Sequence, residues 1–183
     1  MIRSFALLLI GITVLMLPLN SQAQDATCPE ENPAELFKNM LRARALQEPD
    51  REARMLQAIE RAFEHGCPGA LEAQVNVRSM ALEATRGTSS YRQQREEYDD
   101  EVLALFNKAV ARGEGRFEFG GFLLNPENKH HSLAQALAHF EQAATDGDRR
   151  AIEFLSGAYE KGILGIPVNP VRAAYWKARL QPK

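Results

Sequence analysis

The sequence predicts an all-α fold of stacked helix pairs, on three observations. Helical periodicity runs through almost the whole chain after residue 23, with no run of alternating β-branched residues. Prolines and glycines fall where helices would begin and end. A twelve-residue pattern, with a large apolar residue at its fifth place, Ala at its eighth and Gly at its twelfth, occurs three times.

Taken in order, residues 1–23 read as a cleaved signal peptide. Arg3 supplies a positive start, residues 5–17 are apolar up to Pro18, and Ser21 and Ala23 are the small residues of a cleavage site. The apolar run is short for a spanning helix, which needs about 20 residues; an uncleaved anchor is the alternative. Residues 24–183 then form one domain of about 160 residues, enough for a real core.

Pro33 and Pro49 open helices that end near Leu46 and His65, with Gly66 closing the second. Pro68 and Gly69 mark a corner, and a third helix covers 70–86. After a loop at 87–90, a long polar helix covers 91–112 and stops at Gly113. Its acids Glu96, Glu97, Asp99, Asp100 and Glu101 read as a solvated face, because contiguous acids on a helix point in different directions. Asp148 caps a helix carrying Ala151, Leu155 and Tyr159 and ending at Gly162. Asn169 and Pro170 start the last helix, which carries Trp176 and Leu180.

The repeated pattern places Ile59, Ala62 and Gly66 in register with Phe106, Ala109, Gly113 and with Phe140, Ala143, Gly147. The copies begin at Met55, Val102 and Ala136, at spacings of 47 and 34 residues. The fifth and eighth places are one turn apart, so a large residue stands beside a small one that admits a neighbouring helix. A spacing in the mid-thirties is the length of one helix pair with its turns.

This pattern resembles the Sel-one-like repeat family, relatives of the tetratricopeptide repeats. Ala136, Phe140, Ala143, Ala144 and Gly147 carry the resemblance, with Ala151, Leu155, Tyr159, Gly162, Asn169, Ala173 and Trp176. It is most specific over 116–180 and looser over 33–113. In the unit starting at Phe117, Gly121 stands in the usual leucine place and Asn125 in the tyrosine place. The resemblance implies a right-handed α/α superhelix of about three to four helix pairs with a concave inner face. It also implies a non-catalytic module that binds another protein, such as an immunity or inhibitor protein or a small assembly factor in a bacterial periplasm. Secretion is the alternative destination. A competing implication is a hydrolase of cell-wall or β-lactam substrates, attributed to cysteine-rich relatives; this chain has one cysteine pair where those carry a pair in most repeats.

Cys28 and Cys67 are the only cysteines. In an oxidising compartment they predict a disulfide that closes a loop of about 40 residues, worth roughly 4 kcal/mol in the chain-entropy account. A reactive or metal-binding thiol pair is the alternative, and no second ligand pair lies near it. The net charge of −2 and the lack of a basic stripe argue against nucleic acid and against an anionic membrane surface. No apolar stretch after residue 23 is long enough to insert in a membrane.

No metalloprotease helix, phosphate loop or nucleophile elbow occurs, and no cofactor is expected. His130 and His131 are adjacent in a polar loop, and neighbours in sequence point apart. Phe117, Phe119 and Phe122 crowd one short segment. Burial of all three is the simpler expectation, and any one exposed would serve as an anchor for a partner. Arg149 and Arg150 are candidates for the same surface.

Overall fold

The computed structural model describes residue 28 and residues 31–180. The expected signal peptide at 1–23 lies outside the described residues. Eight helices and no strand occur among them: α1 (Pro33–Ala45), α2 (Pro49–Glu64), α3 (Ala70–Glu83), α4 (Tyr91–Ala111), α5 (Arg116–Leu124), α6 (Leu133–Thr145), α7 (Arg149–Lys161) and α8 (Pro170–Ala178). The described chain is therefore all-α.

The helix ends explain the repeated pattern. In α2 the Cys67 N–H donates to the Ala62 carbonyl and the Gly66 N–H to that of Phe63. This double bond to the last turn satisfies carbonyls that a helix end leaves without partners, and it requires a left-handed residue just past the cap. Glu114 N–H to Ala109 and Asp148 N–H to Ala143 repeat the arrangement at the ends of α4 and α6. Gly66, Gly113 and Gly147 hold the left-handed place, at φ of 69°, 87° and 97°. Alanine and glycine recur together because one gives the carbonyl and the other the turn.

A fourth copy, hidden in the sequence, closes α1. There the Glu48 N–H donates to the Ala43 carbonyl, and Gln47 takes the left-handed place at φ 57°. Met40 and Ala43 are buried like their counterparts. Gln47 lacks the glycine that would have revealed the match.

Helix starts follow the expected chemistry. The side chains of Asn32, Ser132, Asp148 and Asn169 each accept a backbone N–H in the first turn of α1, α6, α7 and α8. Pro33, Pro49 and Pro170 occupy first-turn positions, where the missing N–H costs nothing.

The closest packing joins α1 to α2, α5 to α6 and α7 to α8, and α3 packs on α4 about as closely as α6 does on α7. Between pairs, α2 meets α3, α6 meets α7, and α4 touches α5 more lightly; α1 also reaches α3. The largest buried cluster runs from Val102 and Phe106 through Phe119, Phe140 and Leu155 to Trp176. A second, with Ala62, Phe63, Cys67 and Ala109, lies under α2 and α4. Leu71 and Val75 of α3 pack against both. The Cys28 and Cys67 sulfurs stand at bonding distance, with Cα atoms 5.5 Å apart, so the segment before α1 is tied to the end of α2.

In α5, Gly120 and Leu124 are buried, while Gly121 and Asn125 are exposed. The reason is the neighbouring helix: a Cβ on Gly120 would stand 2.8–2.9 Å from the Phe140 ring, while one on Gly121 meets nothing within 4 Å. Asp99 does not belong to a solvated face. It is 1% exposed, accepts from Arg95 Nε at 3.2 Å, and accepts the Lys129 N–H at 3.0 Å, so it fixes the 125–132 loop against α4. Glu96, Glu97, Asp100 and Glu101 are exposed.

Candidate functional site: a groove beside α3

A mostly apolar groove of about 730 Å³ opens beside α3. Helix α3 contributes Leu71, Glu72 and Val75, and the corner before it contributes Gly66, Cys67, Pro68 and Gly69. Phe106 comes from α4, Glu114 and Gly115 from the α4–α5 junction, Phe117 and Glu118 from α5, and Arg150 from α7. Leu71 and Val75 are one turn apart on α3, and both are half-buried, as is Phe117. The groove therefore presents partly covered apolar side chains, while the Phe106 ring beneath is 4% exposed.

Its charges are arranged unevenly. Arg150 is held by Asp148 at 2.8 Å and Glu118 at 2.6 Å, and its guanidinium lies 4.8 Å from the centre of the Phe117 ring. The hydrogen bond that Arg150 donates to Asp148, with Glu118 adding to it, holds the Arg150 charge even more firmly than usual. Arg150 in turn keeps the Asp148 carboxyl below the usual carboxylate range. Glu114 stands 3.8 Å from Arg112. Glu72 is exposed and has no ion-pair partner among the described residues.

The other aromatic candidates are packed inside. Phe119 is 4% exposed, with its ring stacked on Phe106 at 5.1 Å and tilted on His139 at 4.3 Å. Phe122 is half-buried, 5.4 Å from Phe106. Arg149 is exposed and paired with Glu153 at 2.8 Å, away from the groove. Of the candidates for a partner surface, the structure thus brings Phe117 and Arg150 together in the groove.

The repeat positions do structural work. Ala62, Ala109, Ala136, Ala143, Ala151 and Ala173 are buried, as are Leu155 and Trp176. The buried Tyr159 ties three helices together: its hydroxyl donates to Glu141 Oε1 of α6 at 2.9 Å and accepts from Arg172 of α8. Burial pushes the Tyr159 hydroxyl up from its ordinary value, with the Glu141 carboxylate adding to the effect. Gly162 ends α7 in the left-handed region.

His130 Nε2 stands 2.8 Å from Asp100, while His131 is exposed. Among the described residues, no three His, Cys, Asp or Glu side chains stand close enough together to hold a metal ion. No described helix is long and apolar enough to cross a membrane.

Leu71, Glu72, Val75 and Glu114 were not singled out in the sequence. The available signal was the pair Leu71 and Val75, four residues apart and off the face that carries Ala70, Ala73 and Leu82 into the core. Comparison with protein-family models, with curated proteins and with solved structures finds no match to this chain.

Proposed function

We propose that the chain is an exported, non-catalytic module that binds another protein in the periplasm, built as a right-handed α/α superhelix of the Sel-one-like repeat kind. One observation carries the reading: helix pairs packed mainly on their neighbours in sequence leave an open groove with half-buried apolar side chains. Arrays of this type recognise partners through such extended surfaces. The bonded cysteine pair suits an oxidising compartment. Within this reading, a one-to-one role as an immunity or inhibitor protein, or as a small assembly factor, fits the size of the array.

The test is affinity capture of the mature protein from periplasmic extract, followed by titration of the recovered partner with purified components. The expected outcome is one saturable partner at a defined stoichiometry. Turnover of a cell-wall or β-lactam substrate, with no partner retained, would sink the proposal.

A further inference from the structure

We infer that the groove beside α3 takes a basic segment of the partner, with one or two bulky apolar side chains seated between flanking lysines or arginines. This rests on the binding reading above and names the chemistry of what is bound.

The apolar half of the argument is unfinished packing. Leu71, Val75 and Phe117 are each only half-buried although they border the two largest cores. A space of about 730 Å³ between them holds a large side chain and a short stretch of backbone. Removing such surface from water is the main source of affinity at the centre of an interface.

The polar half is the sign of the charge left over. Asp148 and Glu118 already neutralise Arg150, and the Phe117 ring covers its guanidinium face. An incoming carboxylate would have to displace one of these partners. An incoming ammonium or guanidinium meets the exposed Glu72, which has no ion-pair partner among the described residues, while Glu114 and Glu118 along the same groove are already engaged by Arg112 and Arg150. Complementarity of this kind selects the partner and sets the encounter rate, and it weakens with salt.

A second copy of the chain is the rival occupant, because α8 exposes Val171 (79%) and Tyr175 (52%) beside the cationic Arg179. The test distinguishes the two. Two labelled twelve-residue peptides are titrated against the oxidised mature protein by fluorescence anisotropy. Both carry adjacent phenylalanine and leucine, flanked by lysines in one and by glutamates in the other.

The expected result is saturable binding of the lysine peptide at least tenfold tighter than the glutamate peptide, and loss of that preference at high salt. Glu72→Lys, an exposed change that leaves the core untouched, is expected to weaken the lysine peptide about five- to tenfold. Val75→Arg is expected to abolish binding of both, with thermal melting of each variant showing whether it is folded. Equal affinity for the two peptides, no saturable binding of either, or indifference to Glu72→Lys overturns the inference. So does concentration-dependent self-association that both Glu72→Lys and Val171→Asp abolish, which would assign the groove to a second copy. A captured native partner retained in full by Glu72→Lys and Val75→Arg overturns the groove assignment and leaves the binding role standing.

Discussion

Asp99 is a charged side chain almost wholly removed from water, and its two bonds decide what its loss does. Without it, Arg95 loses its closest carboxylate and the Lys129 N–H loses its acceptor. Glu127 stands 3.5 Å from Arg95 and offsets part of the loss. Asp99→Ala should therefore cost about 2–3 kcal/mol, more than an exposed ion pair ever returns. Urea denaturation measures it, and an unchanged midpoint would contradict this account. Asp99 looked like one acid among five because burial came from a loop thirty residues away, which no local spacing reveals. His139 poses the opposite problem. Burial, reinforced by Arg116, lowers its pKa from the ordinary 6.5, so the unfolded chain takes up the proton first. The stability tied to its neutral form is complete above pH 6.5 and is lost as pH falls below that value toward the lowered one. Melting temperatures taken from pH 7 downward should fall less steeply in His139→Gln than in the parent protein.

At the scale of the element, α5 offers a paired experiment on adjacent glycines. Gly120→Ala drives a Cβ into the Phe140 ring and should cost about 1–3 kcal/mol, after the gain in helix propensity is counted. Gly121→Ala adds the same methyl in open space on an exposed helical position and should stabilise by about 0.5–1 kcal/mol. Melting curves should shift in opposite directions; a shared direction would mean that the packing of α5 on α6 has been misread. This pair also shows where sequence reasoning reaches its limit. Helix ends were legible because the alanine carbonyl, the left-handed residue and the N–H beyond it lie within six residues of one another. The register of α5 was not, because it is set by Phe140, a ring that arrives from the next helix. The groove was harder still, since α3, the α4–α5 junction, α5 and α7 must all be placed before Leu71 and Val75 are seen to face an opening.

Across the whole molecule, helix packing is mostly between neighbours in sequence, as α1 packs on α2 and α7 on α8. On the repeat-array reading proposed above, the molecule is held by the sum of neighbouring interfaces, so its ends are the weakest parts. At the N-terminal end the Cys28–Cys67 bond counters this by closing a loop that contains both α1 and α2. Reduction is expected to lower stability by about 2–4 kcal/mol, with hydrogen exchange rising first in those two helices. Uniform exchange across all eight helices would show that the bond holds the molecule as a unit instead. The same bond has a mechanical meaning. If the chain is stretched from its two termini, tension entering at Cys28 passes directly through the sulfurs to Cys67, and α1 and α2 hang off the loaded line as an unstretched side loop. Full extension of the oxidised chain should fall short of the reduced one by about 130 Å, the contour length of the bypassed segment. Force that unravels α3 to α8 would leave the first helix pair folded, or free to unfold only by heat.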